Sequence, residues 1–176
     1  MRLLTSRLEL VPFSAEGIDA LLAGDDKRLR AVTGLSFPEP LRAPPLMEDV
    51  LVLVRDRLRA DPATLGWLTW LAVERGTRTV TGALGFGGPP DEEGDVMIGY
   101  STYPGSGQKG YASEATQALV DWALSQPGVR RVCASIPPDN LPARRVAERV
   151  GMEVVGTLWE EETDEVLLYA VGRGAR

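Results

Sequence analysis

Polar and apolar positions change their period several times along the chain, and each change marks an element. Residues 7–12, Arg-Leu-Glu-Leu-Val-Pro, alternate and predict a first strand closed by proline. Ser14 fits the N-cap of a short helix reaching Leu22 and stopped by Gly24-Asp25, and residues 26–32 predict a second short helix. Four prolines within residues 34–45 predict an irregular loop. Leu46, Met47, Val50, Leu51, Val54 and Leu58 then recur at helical spacing, with Glu48, Asp49, Arg55, Asp56 and Arg57 facing out, and this helix ends before Asp61-Pro62.

Strand-like runs follow. Residues 67–74, 78–86 and 96–103 predict an antiparallel meander, with a turn at Gly76-Thr77 and a loop over residues 87–94. Residues 111–126 are amphipathic, with Ala112, Ala115, Leu119, Trp122 and Ala123 on one face and Pro127-Gly128 as the stop. A strand over 129–136 leads to a helix over 141–150, with Pro142 in its first turn and Gly151 past its end. Residues 153–159 and 166–171 predict two closing strands. This order predicts a mixed α/β sheet flanked by helices.

Composition changes the picture mainly by exclusion. A chain of 176 residues is long enough for one well-buried domain, expected over 1–176. It has no histidine, which excludes a Ser-His-Asp triad, a Cys-His dyad and His-ligated metals. Cys133 stands alone, so there is no internal disulfide and no thiolate metal site. A general base must be sought among Asp, Glu, Lys, Tyr and the termini. With neither a signal-like nor a membrane-length apolar run, the expected location is cytoplasmic. The net charge of −6 argues against nucleic acid and for a cationic or neutral partner.

Gly105-Ser106-Gly107-Gln108-Lys109-Gly110 spells G-x-G-x-x-G between a strand and a helix. A dinucleotide site would need an acidic residue about 20 positions on. Counting on reaches Arg130-Arg131, and the first carboxylate past the next strand is Asp139. The same physics serves another pyrophosphate ligand, because free main-chain N–H groups face it at the positive end of the helix. Gly107-Gln108-Lys109-Gly110-Tyr111-Ala112, continued by Ser113-Glu114-Ala115 and preceded by Pro104, resembles the acetyl-CoA loop of the GNAT N-acetyltransferase superfamily. The likeness is to the branch containing ribosomal-protein alanine acetyltransferases. Other pieces resemble it in the same order: Thr5-Ser6-Arg7-Leu8-Glu9-Leu10, Ile98-Gly99-Tyr100, Asn140 through Met152, and Gly156-Thr157-Leu158. The resemblance therefore spans nearly the whole chain.

It implies a mostly antiparallel sheet of about seven strands with a splayed fourth/fifth pair, the fourth bulged. Acetyl-CoA is the implied cofactor, held by Tyr100, Ser101, Thr102, Gly107, Gln108, Lys109, Gly110, Tyr111, Ala112, Ser113 and Asn140. Main-chain N–H groups near residues 101–103, with Thr102 central, are implied to polarise the thioester carbonyl. Glu162 aligns with the branch's general base, and also reads as part of a solvated charge run in a hairpin turn, Glu160-Glu161-Glu162. Three departures stand out. Gly107 sits where the family prefers Gln or Arg, Ala143 replaces a serine acid, and Val146-Ala147 falls where other branches place a tyrosine acid. The candidate substitutes are water or a tyrosine from elsewhere, such as Tyr103 or Tyr111.

The implied reaction is acetyl transfer to a primary amine, either a small molecule or a peptide N-terminus. The implied assembly, by family analogy alone, is a homodimer. Two other readings stay open, a non-catalytic acyl-CoA-binding module and a dinucleotide-binding oxidoreductase.

Overall fold

In the computed structural model, residues 1–160 and 164–174 are described. The elements in order are β1 (Leu3–Leu4), β2 (Leu8–Pro12), α1 (Ala15–Leu22), α2 (Asp26–Thr33), α3 (Glu48–Ala60), a 3₁₀ turn (Pro62–Trp67), β3 (Thr69–Glu74), β4 (Val80–Phe86), β5 (Asp95–Thr102), α4 (Tyr111–Ser125), β6 (Arg131–Ile136), α5 (Leu141–Arg149), β7 (Glu153–Glu160) and β8 (Asp164–Gly172). The strands form one eight-stranded sheet in the order β1-β2-β3-β4-β5-β6-β8-β7. All neighbours are antiparallel except β5 and β6. The mixed α/β expectation therefore holds, and the eighth strand is the two-residue β1, too short to show a period.

Side-chain alternation splits the core into two layers. In β3, Trp70 and Ala72 pack with Leu119, Val120 and Ala123 of α4, whereas Leu71 and Val73 pack with Ile18 of α1 and Leu51, Val54 and Leu58 of α3. Strand β4 keeps faith with both layers by a bulge. Ala72 pairs with Gly82 and Val73 with Val80, leaving Thr81 over, and so Val80 and Ala83 share a face despite their odd spacing.

Helix α3 starts two residues later than its apolar spacing predicts. Leu46 adopts a left-handed φ of 65° and is 98% exposed, so it belongs to the turn before the helix. Asp49 and Glu48 then occupy the first turn and Arg57 and Arg59 the last, the arrangement that complements the helix dipole.

The β5–β6 pair positions everything that follows. Asp95 pairs with Arg131, Val96 with Val132 and Met97 with Cys133, and there the pairing ends. Beyond it β5 stays with β4, while β6 stays with β8 through Ile136. The two strands thus splay into a V. The β4–β5 register is unbroken from Phe86↔Ile98 to Gly82↔Thr102, so the bulge that the resemblance implies in this strand is absent. The parting follows instead from the change of partner. An Arg131–Asp95 ion pair pins the closed end.

Candidate active site

Strand alternation decides which peptide groups face the V. Gly87 N–H donates to the Met97 carbonyl, and Tyr103 N–H donates to that of Thr81, both at 3.0 Å. The main-chain groups of residues 97, 99, 101 and 103 therefore point at β4. Those of Tyr100 and Thr102 point away from it, into the space β6 has left. Gly82 permits this close pairing, since a Cβ there would stand 2.4 Å from the Ser101 carbonyl oxygen.

Past Thr102 the chain turns through Gly105 (φ 86°), Gln108 (φ 65°) and Gly110 (φ 77°) into α4. Gly110 is the N-cap and offers no side chain to the helix, and Glu114 N–H closes the first turn on the Gly110 carbonyl at 3.1 Å. The N–H groups of Tyr111, Ala112 and Ser113 are consequently left at the positive end of a 15-residue helix. Across from them α5 begins at Asn140, whose Oδ1 accepts from Ala143 N–H at 3.2 Å. The cap uses the amide oxygen and leaves the amide NH₂ free to donate.

Between these walls lies a cavity of about 580 Å³. Of the residues singled out in the sequence, Tyr100, Ser101, Thr102, Gly107, Gln108, Gly110, Tyr111, Ala112, Ser113 and Asn140 all line it. Lys109 does not, and its ammonium lies 5.9 Å from the Tyr111 ring centroid. Glu162 falls outside the described residues. Ser101 lines the cavity yet donates its hydroxyl to the Pro45 carbonyl at 2.8 Å, tying β5 to the proline-rich loop.

The lining also contains Ser106, Pro142, Arg145 and Arg149, none of them among the implied cofactor-binding residues, and Ala143 and Val146, the two positions where the family's acids are missing. Arg145 and Arg149 stand one helical turn apart, both exposed, and neither has an ion-pair partner among the described residues. Arg144 is turned the other way, to Tyr169 Oη at 3.1 Å and the Pro138 carbonyl at 2.9 Å. No carboxylate is among the described lining residues, although the chain carries a net charge of −6. The cavity is a cationic recess in an acidic protein, suited to a ligand with several phosphates. In the sequence the pair shows only as Arg at i and i+4 on a helix face, far along the chain from the glycine loop.

The tyrosines proposed as acids are committed elsewhere. Tyr103 is buried and donates to the Arg42 carbonyl at 2.7 Å, and Tyr111 donates to Glu74 at 2.8 Å. Tyr100 donates to the Ala143 carbonyl at 2.6 Å. Burial pushes the Tyr100 and Tyr103 pKa values up, and the hydrogen bond to Glu74 does the same for Tyr111. None of the three hydroxyls is poised to give up a proton.

Glu114, in the first turn of α4, gathers the N-terminal segment onto the loop. Its carboxylate accepts from Thr5 Oγ1 (2.5 Å), Ser6 Oγ (3.1 Å), Arg7 N–H (2.9 Å) and Arg7 Nε (2.7 Å). Burial alone would raise its pKa, but these donors outweigh burial and bring it from 4.5 down to about 2. The folded state therefore holds the charged form more tightly than the unfolded chain does. That stability is complete above the ordinary glutamate range and lost as pH falls from about 4.5 toward 2. Glu114→Gln should cost about 2 kcal/mol at neutral pH, as expected for hydrogen bonds to a charged group. Urea unfolding at stepped pH should also show a flatter acid limb in that variant.

The chain has known relatives. Residues 7–153 match the sequence profile of the family described as Acetyltransferase (GNAT) domain. The uncharacterized N-acetyltransferase YjdG of Bacillus subtilis (strain 168) is 31% identical over 152 residues, covering 84% of this chain and 86% of that protein. Among solved structures, RimL, a ribosomal L7/L12 alpha-N-protein acetyltransferase in complex with coenzyme A, superimposes with a TM-score of 0.72 at 19% identity over 100% of both chains. The ribosomal-protein-S5-alanine acetyltransferase of Vibrio fischeri gives a TM-score of 0.68 at 13% identity, over 99% of this chain and 97% of its own. At these identities the two structures establish likeness of fold.

Proposed function

Since the chain belongs to the GNAT acetyltransferase family, and is thereby an acetyl-CoA-dependent N-acetyltransferase, we propose that it acetylates a primary amine by direct attack within a ternary complex. The observation that carries this reading is the continuous track from the open β5 edge to the α4 N-terminus. Peptide groups of Tyr100 and Thr102 lie along one stretch, and the unpartnered N–H groups of the loop and helix lie at its end. A pantetheine arm with its two amides matches the first, and a pyrophosphate matches the second. Arg145 and Arg149 supply counter-charge, and the free amide NH₂ of Asn140 supplies a donor to the arm.

In the reaction the neutral amine nitrogen attacks the thioester carbon, forming C–N, and the carbonyl electrons move to oxygen. We assign the Thr102 N–H to that oxyanion, which leaves the Tyr100 peptide group to the arm. Collapse breaks C–S, and the sulfur leaves with the bonding pair. Thiols have an ordinary pKa of ~8.5, so thiolate departure needs no dedicated acid, which accords with the committed tyrosines. The proton lost by the amine passes to solvent or to a carboxylate, for which Glu162 is the assigned candidate. The acceptor class proposed is a peptide α-amine or a small-molecule amine. The ribosomal-protein names of the two structural relatives bring in the former.

The test is a thiol-release screen with acetyl-CoA, a panel of small amines and N-terminal peptides, and Glu162→Gln alongside. Amine-dependent release of CoA supports the transferase reading. Binding of acetyl-CoA with no release across the whole panel would favour a non-catalytic module. Unchanged turnover of Glu162→Gln across pH would remove Glu162 as base.

A further inference from the structure

The cofactor loop contains one peptide whose orientation is set from outside the loop. Arg7, between β1 and β2, donates from Nη1 to the Lys109 carbonyl at 2.8 Å. The same guanidinium donates from Nε to Glu114 at 2.7 Å, and its carbon sits 4.7 Å from the Tyr111 ring centroid. Three contacts thus fix a side chain that loop residues alone would not hold. The Lys109–Gly110 peptide is trans, so its carbonyl and its N–H point in opposite directions. With the Lys109 carbonyl drawn outward to Arg7, the Gly110 N–H is turned inward. Gly110 lines the cavity, and Lys109 does not.

We propose that Arg7, anchored by Glu114, is a positioning residue that locks the Lys109–Gly110 peptide with its carbonyl outside the cavity and its N–H inside. The loop then offers the cofactor pyrophosphate a donor where a flipped peptide would offer an oxygen. A glycine at 110, with its left-handed φ of 77°, leaves that peptide free to rotate, so an external tie is needed. This rests on acetyl-CoA occupying the cavity. It also explains why Thr5, Ser6 and Arg7 converge on one carboxylate: Glu114 holds the guanidinium against the loop.

The test is calorimetric titration of CoA into the full chain, with the Gly110 amide followed by NMR. Arg7→Met should weaken CoA binding about 10-fold, the scale of a lost charge-assisted hydrogen bond, and should shrink the CoA-induced shift of the Gly110 amide. Arg7→Lys, which keeps a donor for the carbonyl, should recover part of the affinity. Glu114→Gln separates the brace from plain charge attraction and stands in should Arg7→Met not fold. It removes a negative charge near an anionic ligand, so electrostatics alone predicts tighter binding, whereas loss of the anchor predicts weaker binding. Unchanged or tighter CoA binding by Glu114→Gln, or an unaltered Gly110 response in Arg7→Met, would overturn the proposal while leaving the cofactor site intact. Failure of the wild-type chain to bind CoA would overturn both.

Discussion

Thr102→Pro is expected to lower kcat by about 100-fold or more, the usual cost of losing one oxyanion donor. The choice of residue follows from the phase of β5. The Thr102 N–H faces the V, so proline there breaks no bond to β4, and Ser101 before it is already extended, as a residue preceding proline prefers. Steady-state kinetics with a saturating amine measures the loss. Thermal unfolding shows whether the fold persists, and CoA titration separates a loss of cofactor affinity from the loss of turnover. A matched Ser101→Pro removes a ladder bond instead and should show its damage as lost stability. Equal turnover in Thr102→Pro and wild type would exclude that N–H from carbonyl polarisation.

Gly110→Val is expected to raise the KM for acetyl-CoA by at least about 10-fold. A β-branched residue at a φ of 77° is strained by about 1–3 kcal/mol. A Cβ at this position also reaches 3.4 Å from Arg7 Nη2, so the side chain presses on the brace as well as on the turn. Gly107→Ala is the useful contrast, because a Cβ there meets nothing within 4 Å and Gly107 is not among the positive-φ glycines. If Gly110→Val bound acetyl-CoA as wild type does, the main chain around Gly110 would not be the pyrophosphate site.

The loop was legible in the sequence because glycine chemistry is local. Left-handed turns and a helix start are written within six residues, and the elements on either side follow from period alone. The chain context also told the dinucleotide reading from the CoA one. The structure does contain a parallel β5–α4–β6 unit, but its strands separate after three pairs, and Arg131, where an acidic residue was needed, is tied to Asp95. What stayed hidden depends on contacts that no period encodes. Arg7 meets Glu114 across a separation of 107 positions, and in sequence it was only part of an opening motif. Arg145 and Arg149 look like any solvated helix face until α5 is seen to form a cavity wall. Leu46 had the right hydrophobicity and spacing for a helix, and a backbone angle excluded it. Tyr103 and Tyr111 were reasonable acids by type. Their hydroxyl partners, Arg42 and Glu74, lie 61 and 37 positions away.

The cavity wall, built from glycine, hydroxyl, amide, aliphatic and guanidinium groups, has a consequence for proton inventory. Among the described lining residues there is no carboxylate, imidazole, thiol or lysine, and burial and the Glu74 hydrogen bond hold the tyrosines up. On the proposed reading, the protein side of cofactor capture therefore adds no carboxylate, imidazole or thiol of its own to the pH profile. On the proposed mechanism, a pH–rate curve reads out the acceptor's own ammonium and whichever carboxylate meets it, which makes each substrate its own titration reporter.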